Sequence, residues 1–397
     1  MEFFGIGGRG SNVRMGLDIG TRMIKLSCLN PTSAGMQLTS FGVAATPEGS
    51  ITDGVINNPE AVGEAINQIL RYYNIKEKKV VASLPGRSVV VRTVTLPSGL
   101  NDREIKVAAL GEVERFLPFP LDEMEYDFKT LGTIEEGETK QTSVVFIAAH
   151  SDSVQKRVEA ARHGGLDSIE IDIDPFVIMR SVIEHSLFDD QATFQMTLML
   201  VEIGASATSV SIVSAGKLRF TRIFATGGDT LTRAIESGLD ITFHEAEKLK
   251  KEKGVALIED EKTAEPESID IHQLIKNHLE NLVLEIRRSL AYYTSKYRGE
   301  MVNKILLVGG GSMLRGLRKF LEDDLEIPVT FGNPLKNITY VGDLDVETIA
   351  KRVPVMGISV GLSLRQTPPK QAGRFSMPVD VDTTYEFGAA ATTGGVT

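Results

Sequence analysis

The sequence has 397 residues, of which 42% are hydrophobic and 24% charged, a balance typical of a globular protein with two or three domains and not of a disordered chain. Its formal net charge of -10 and the lack of a basic cluster exclude a typical nucleic-acid-binding protein. The single cysteine excludes an internal disulfide, and with neither a signal-peptide pattern nor an apolar run of the ~18 residues that span a bilayer, we expect a cytoplasmic protein.

The first 14 residues precede every predicted strand and helix. Residues 5–10 spell G-x-G-x-x-G, a pattern that binds dinucleotides where it follows a strand and opens a helix. Neither condition holds here. We therefore interpret residues 1–14 as a flexible N-terminal arm.

A β-hairpin is predicted next. Residues 15–19 and 23–29 flank a Gly-Thr turn, and apolar and polar side chains alternate in the second stretch. Glycine lets the backbone turn tightly and approach an anion, so we expect the amides of Gly20 and Thr21 to face phosphate oxygens. Asp18 suits a hydrated Mg²⁺ carried by a nucleotide. Lys25 would neutralise a phosphate, or is only a solvated strand residue.

Helices and strands then alternate as far as residue 187. Helical periodicity predicts helices over residues 59–73, 101–117, 152–161 and about 174–187. Strands are predicted at residues 84–92, 144–149 and 169–173, with a further strand opened by Tyr-Asp-Phe at 126–128. Asp172 and Asp174 end one of these strands near a potential cleft, although a strand that stops before Pro175 explains both aspartates.

The hairpin pattern repeats at residues 197–213. Glu202 follows Asp18 by 184 residues (202 minus 18), and the second turn contains Gly204, Ala205 and Ser206. Two such hairpins facing each other would clamp one polyphosphate, with Mg²⁺ held through water by Asp18 and Glu202. Either hairpin alone is more simply explained as an ordinary glycine turn.

A capped helix is predicted after residue 241. Thr242 is its N-cap, and Glu245 completes a capping box three residues later. Glu247 and Lys250, at i and i+3, share a face of this helix. They would contact a ribose, or merely form a surface ion pair.

The last third of the chain contains a long helix and a run of glycines. Residues 271–297 carry one core-facing apolar stripe, and His272 and His278 lack partners at metal-ligand spacing, so we predict no zinc site. A strand at 302–308 leads into Gly309, Gly310, Gly311 and Ser312, and a helix is predicted over 313–321. A strand, a glycine turn and a helix N-terminus form a floor suited to a nucleotide. A last helix covers 354–364, and residues 366–397 are predicted to be disordered.

The order of these motifs resembles the actin-like ATPase superfamily, which includes actin, heat-shock chaperones, sugar kinases and FtsA. The resemblance implies an α/β, actin-like (ribonuclease H-like) fold with two lobes, duplicated mixed-sheet domains and an inserted small α+β subdomain. ATP and Mg²⁺ are the implied ligands. The implied contacts are phosphate loops at 18–21 and 202–206, a Gly-Gly turn at Gly227 and Gly228, ribose contacts near Glu247 and Lys250, and an adenosine loop at 309–312. Glu202 departs from the pattern, because the second loop usually carries aspartate.

Residues 80–132 are more narrowly similar to the PilM family of type IV pilus assembly, through the order strand, helix, Leu-Pro-Phe-Pro and Tyr-Asp-Phe. FtsA has a related subdomain at the same place. The resemblance implies a first lobe at 15–79 and 149–190, completed by a helix at 354–365, an inserted partner-binding subdomain at 80–148, and a second lobe at 191–353.

The PilM resemblance also implies a function in pilus assembly and twitching motility. The chain would bind the N-terminal cytoplasmic segment of the inner-membrane protein PilN, in a groove near residues 89–94 and 101–117, and would contact the pilus motor and platform. Its association with the membrane would be indirect, and self-association is left open.

Two alternatives are an FtsA-like division protein and a small-molecule kinase. An FtsA-like protein should end in an amphipathic membrane helix, for which residues 366–397 show no pattern. A kinase needs a general base, and the sequence identifies none. We expect nucleotide binding with slow or absent hydrolysis.

Overall fold

The computed structural model describes residues 13–136, 139–185, 191–258, 265–342 and 345–365. The tail predicted at 366–397 lies outside the described residues, as does the predicted N-terminal arm apart from its last two residues. The first strand begins at Arg14, inside the predicted arm.

The described residues form both strands and helices, numbered in chain order. The strands are β1 (Arg14–Ile19), β2 (Met23–Thr32), β3 (Gly35–Ala45), β4 (Ile51–Thr52), β5 (Val55–Ile56), β6 (Lys79–Leu84), β7 (Val89–Pro97), β8 (Met124–Glu136), β9 (Thr139–His150), β10 (Ser168–Ile173), β11 (Thr197–Ile203), β12 (Thr208–Ser214), β13 (Lys217–Phe224), β14 (Lys304–Val308), β15 (Val329–Phe331) and β16 (Ile338–Tyr340). The helices are α1 (Pro59–Tyr72), α2 (Asp102–Val113), α3 (Ser151–His163), α4 (Asp174–Ile178), α5 (Gln191–Phe194), α6 (Gly228–Leu239), α7 (Phe243–Lys253), α8 (Pro266–Lys296), α9 (Leu317–Leu325), α10 (Val346–Arg352) and α11 (Gly357–Leu364). A π-helical segment, Met179–Glu184, continues α4.

Two sheets share one topology. The first contains the described strands β10-β6-β1-β2-β3-β16 in that order, and the second contains β13-β12-β11-β14-β15. In each sheet an antiparallel hairpin leads to a third antiparallel strand on one side and to parallel strands on the other. Leu17 pairs with Leu26 and Val201 pairs with Val210, so the two hairpins share a register at an offset of 184 residues (201 minus 17, 210 minus 26). The duplication predicted from the motifs is present in the backbone.

Two connecting helices, α4 and α11, hold the sheets together. Phe176 and Val182 pack in one hydrophobic cluster with Leu200 and Leu306 of the second sheet. A Cβ on Gly361 of α11 would lie 2.2 Å from the Val177 carbonyl oxygen, so the two helices cross at backbone contact. The sheets therefore meet along these helices, and a cleft lies between the two lobes.

The segment predicted as an inserted subdomain contains its own sheet, in the order β7-β9-β8. Helix α2 covers this sheet with its buried residues Ile105, Ala109 and Val113. The helix predicted to reach residue 117 ends at Val113, where a 3₁₀ turn replaces it, and Phe116 in that turn is 50% exposed. The predicted boundary at residue 80 is too early, since β6 lies between β1 and β10 in the first sheet.

Two other predictions near the C-terminus are corrected. Strand β16 pairs in parallel with β3, and Ile349 of α10 packs with Leu29, so residues from 338 onward join the first sheet although the second lobe was predicted to reach 353. The helix expected to begin at residue 313 begins at Leu317, because the left-handed Gly316 (φ 76°) separates it from a 3₁₀ turn.

The predicted long helix is α8, whose buried stripe includes Ile275, Leu279 and Ile286. Its exposed face carries many charged residues. Among the residues that the structure describes, no helix is both long and apolar enough to cross a membrane.

Candidate functional site

A cleft of about 920 Å³ opens between the two sheets. The β1–β2 turn, the turn after β6 and the start of α4 line one side. The β11–β12 turn, the start of α6, α7 and the glycine run after β14 line the other. All but one of the predicted binding residues line this cleft: Asp18, Gly20, Thr21, Lys25, Glu202, Gly204, Ala205, Ser206, Gly227, Gly228, Glu247, Lys250, Gly309, Gly310 and Gly311.

Ser312 is the exception. Its side chain is buried, and its hydroxyl donates a hydrogen bond to the Gly309 carbonyl at 2.7 Å. Gly309 has a φ of 88°, and a Cβ there would lie 2.5 Å from the Ile203 carbonyl oxygen, so glycine is required. Ser312 therefore fixes the glycine turn against β11. Gly310, by contrast, faces open space.

The two hairpin turns meet across the cleft. The hydroxyl oxygens of Thr21 and Ser206 lie 3.2 Å apart. The amides of Gly20 and Gly204, expected to face phosphate, instead donate within their own turns, to Met23 and Ala207 respectively. In the described part of the chain, no protein group accepts a hydrogen bond from the turn amides of Thr21, Ala205 and Ser206. These are the donors available to an anion.

Gly227 and Gly228 support the second turn. The Gly228 amide donates to the Gly204 carbonyl at 2.9 Å, and the Asp229 amide donates to the Ala205 carbonyl at 2.8 Å. A Cβ on Gly227 would lie 2.5 Å from the Ala205 carbonyl oxygen. Gly227 therefore allows the positive N-terminus of α6 to approach this turn.

The floor of the cleft has a marked charge asymmetry between the lobes. Asp18 is buried, lies opposite Lys25 in the first hairpin, and accepts a hydrogen bond from its ammonium group. The equivalent partner of Glu202 in the second hairpin is the neutral Ser209. Burial and the nearby charge of Asp18 raise the pKa of Glu202 to about 7, against the opposing effects of Lys25 and Ser209.

Asp174, at the start of α4, is a third carboxylate in the cleft and was not predicted as a site residue. Burial raises its pKa well above the ordinary value, Glu202 and Asp18 raise it further, and Ser83 and Arg157 oppose the shift. Its Oδ1 atom is buried and finds no hydrogen-bond partner within the described residues.

The strand order could have identified Asp174. The parallel strands β1, β6 and β10 have their carboxyl ends on the same side of the sheet, which is where ligands of α/β proteins bind. Asp172, two residues earlier, pairs with Arg180 at 3.1 Å instead.

Arg157 is a second site residue that the sequence patterns did not indicate. It is almost fully buried, and its Nε donates to the Ser83 carbonyl at 2.7 Å. Burial lowers its pKa to about 10, while the charges of Asp174 and Asp18 act in the opposite direction. Arg157 therefore places a fixed positive charge near two of the three carboxylates.

Glu247 and Lys250 form an ion pair of 2.6 Å that lines the cleft and is not a surface pair. Lys250 also donates to the Gly228 carbonyl and the Thr232 hydroxyl, which ties α7 to α6. Burial alone would raise the pKa of Glu247, but hydrogen bonds from Lys250 and Thr232 hold it below the ordinary value. Glu247 therefore presents an ionised acceptor to the cleft.

A polar bridge joins the two lobes at the cleft. Arg22 of the first turn pairs with Asp229 of α6 at 3.0 Å. The same guanidinium lies 4.0 Å from the centre of the Phe243 ring, a cation–π distance. The bridge connects the first hairpin to α6 and α7.

The carboxylates fit a hydrated Mg²⁺ better than a metal held by protein alone. In the described chain, no group of three or more His, Cys, Asp or Glu side chains is arranged to hold a metal ion. Magnesium keeps most of its waters and combines one or two carboxylates with phosphate oxygens. The buried, unpartnered Oδ1 of Asp174 and the raised pKa of Glu202 are features that a nearby cation would relieve.

Replacing Glu202 by Gln should reduce the pH dependence of folding stability in buffer without metal or nucleotide. Between pH 4.5 and about 7 the folded state keeps a proton on Glu202 that the unfolded chain releases, so the free energy of unfolding falls as pH rises. At ~1.4 kcal/mol per pKa unit, E202Q should gain on the order of 2–3 kcal/mol over wild type between about pH 5 and pH 8.

Urea denaturation at the two pH values measures this gain. E64Q, on the exposed face of α1, is the control and should keep the wild-type slope. Because Asp174 is present in all three proteins, each should keep some dependence of its unfolding free energy on pH. An E202Q stability difference that is equal at both pH values would contradict the raised pKa.

Comparisons with known proteins agree with this fold. A solved PilM-PilN type IV pilus biogenesis complex contains a chain that is 26% identical, with a TM-score of 0.75 over 90% of this chain and 99% of that one. MreB 5 of Spiroplasma citri bound to AMPPNP is 13% identical, with a TM-score of 0.52, covers 89% of this chain and 95% of its own, and supports the fold alone. The predicted actin-like fold is confirmed.

Curated relatives include FtsA proteins. The cell division protein FtsA of Neisseria meningitidis serogroup B is 23% identical over 352 residues, which are 80% of this chain and 83% of that protein. FtsA of Escherichia coli K12 is 21% identical over 88% of this chain and 89% of that protein. A family model described as type IV pilus assembly protein PilM matches residues 16–367. Because that match spans most of the 397 residues of this chain, the chain belongs to the PilM family of type IV pilus assembly proteins.

Proposed function

We propose that this PilM-family protein binds ATP with Mg²⁺ in the cleft and docks a PilN-type inner-membrane protein through its inserted subdomain. The proposed binding of nucleotide is supported chiefly by the two facing turns. They present the amides of Thr21, Ala205 and Ser206 on either side of one space, with Asp18 and Glu202 on the floor. A polyphosphate between the turns would accept hydrogen bonds from both lobes.

The other residues of the cleft have complementary roles in this proposal. Bound Mg²⁺ would neutralise phosphate charge, and Asp18 and Glu202 would hold it through water. Lys25 holds the Asp18 carboxylate in place through their ion pair. Glu247 is an acceptor for ribose hydroxyls, and the turn at Gly310 leaves room for the base.

Replacing Asp18 by Ala should weaken binding of Mg²⁺-ATP by about tenfold or more, because it removes a carboxylate proposed to hold the metal. Affinity for ATP in EDTA should not fall, since Lys25 loses its acidic partner and becomes available to phosphate. Isothermal titration calorimetry under both conditions measures the two affinities. D323A, at an exposed aspartate of α9, is the control. An unchanged Mg²⁺-ATP affinity in D18A would refute the site assignment.

The solved PilM-PilN complex supports a PilN-type partner for this chain. Strand β7 is an edge strand of the described three-stranded sheet, and an extended peptide can add to such an edge. On this strand, Arg92 lies 5.3 Å from the ring centre of Phe116, a residue that is 50% exposed. We assign the docking surface to the β7 edge with Arg92 and Phe116. Bound there, a PilN-type protein would hold the chain at the inner membrane and link it to the pilus motor and platform.

A labelled peptide from the N-terminal cytoplasmic segment of the accompanying PilN-type protein should bind the purified protein saturably. F116A should weaken binding by about tenfold, because Phe116 is an exposed aromatic anchor. F331A removes a phenylalanine that is 44% exposed on β15 and should bind as wild type does. Fluorescence anisotropy with and without Mg²⁺-ATP measures binding and its coupling to the cleft. No binding in either state would refute the docking role.

Phosphoryl transfer is a second candidate, favoured by Asp174. A buried carboxylate with a raised pKa is a stronger base than an ordinary aspartate, and it lies in the same cleft as the two turns. Asp174 would orient and deprotonate an attacking water or hydroxyl group.

We expect wild-type phosphate release far below the ~10 s⁻¹ of a median enzyme, and none above background in D174N, which should still bind nucleotide. A phosphate-release assay at saturating Mg²⁺-ATP measures both proteins. A wild-type rate near ~10 s⁻¹ would favour an enzyme over a binding protein. An unchanged rate in D174N would exclude Asp174 as the base.

A further inference from the structure

Arg87 occupies the turn that joins β6 of the first sheet to β7 of the inserted subdomain, and its side chain lines the cleft. Its Nη2 donates to the Ser206 hydroxyl at 3.2 Å. The Ser206 hydroxyl is also 3.2 Å from the Thr21 hydroxyl. A guanidinium group and the polar side chains of both hairpin turns therefore converge at one point.

The charge of Arg87 is less well compensated than the charges of three other cations in the cleft. Lys25, Lys250 and Arg22 each have an acidic partner within 3.0 Å. Arg87 instead lies 3.8 Å from Asp53, whose side chain is 78% exposed and therefore screened by water. Burial lowers the pKa of Arg87, so its charged form lacks part of the hydration it would have at the surface. These surroundings favour an added anion.

The position of Arg87 relative to the second turn indicates which anion it would bind. Lys250, on the ribose side, hydrogen-bonds to Gly228, which lies behind this turn. Arg87 contacts the turn at Ser206, where the first turn also meets it. A nucleotide whose ribose lies against Glu247 would therefore extend its phosphates toward Arg87.

We propose that Arg87 binds the terminal phosphate of a nucleoside triphosphate and so distinguishes it from a diphosphate. The inference rests on the proposed nucleotide binding. A guanidinium group forms paired hydrogen bonds with phosphate oxygens, and Arg87 can add this contact beside the free turn amides. A diphosphate held by the same ribose contacts does not extend to Arg87.

The contact would also connect the nucleotide to the inserted subdomain. A Cβ on Gly86 would lie 2.5 Å from Ile223 Cδ1 of β13 and 3.3 Å from Pro175 of α4, so this turn is packed tightly between the second sheet and the connecting helix. Strand β7 begins two residues after Arg87. A phosphate bound by Arg87 thereby immobilises the start of β7.

Titration calorimetry of wild type, R87Q and R87K with Mg²⁺-ADP and Mg²⁺-AMPPNP tests the proposal. R87Q should lose about tenfold or more in AMPPNP affinity and stay within about twofold for ADP. R87K should fall between wild type and R87Q, because lysine keeps the charge but not the paired geometry. R103Q, at an exposed arginine of α2, is the matched control, and melting without nucleotide checks that each variant is folded.

The outcomes separate this inference from the proposed function. Wild-type binding of neither nucleotide would overturn both. Binding of both nucleotides with equal losses in R87Q, or with no loss, would overturn the role of Arg87 alone. As a second readout, amide exchange over residues 89–97 should be slower with AMPPNP than with ADP in wild type, and equal in R87Q.

Discussion

The charge balance of the cleft depends on three carboxylates, Asp18, Asp174 and Glu202, whose charges act on one another. Burial is the main cause that raises the pKa of Glu202 and of Asp174; the charge of Asp18 raises both further, and the charge of Glu202 adds to the shift of Asp174. Ionised carboxylates repel one another where burial weakens screening by solvent, so each additional negative charge in this group costs free energy. In the proposed function a cation would relieve this repulsion, and a phosphate bound to the amides of the two turns would bring that cation with it. The acidic floor and the two turns would thus be two parts of one nucleotide site.

The two lobes repeat each other in backbone but not in charge. The first hairpin neutralises its own aspartate with Lys25, whereas the second pairs Glu202 with Ser209. The second lobe therefore depends more on a ligand for charge balance than the first. Because the lobes share the crossing of α4 and α11 at Gly361, a ligand that attracts both turns would act through relative rotation at that crossing.

Local patterns predicted much of this architecture. The two hairpins, the Thr242 capping box and the buried stripe of α8 follow from periodicity and turn chemistry over short segments. Properties set by distant pairing were not predictable in this way. Strand β6 joins the first sheet through β1 and β10, β16 returns to β3, and the Gly20 and Gly204 amides close their own turns. Asp174 was not predicted because its neighbour Pro175 already explained a strand end, and only the parallel order of the sheet places it in the cleft.

The central claim is that one nucleotide bridges both hairpin turns over the acidic floor. A crystal structure of the protein with Mg²⁺ and AMPPNP tests it most directly. We predict phosphate oxygens within hydrogen-bond distance of the Thr21 and Ser206 amides, and a hydrated Mg²⁺ whose waters contact Asp18 and Glu202. Density for the nucleotide elsewhere, or phosphates bound to one turn without the other, would contradict it.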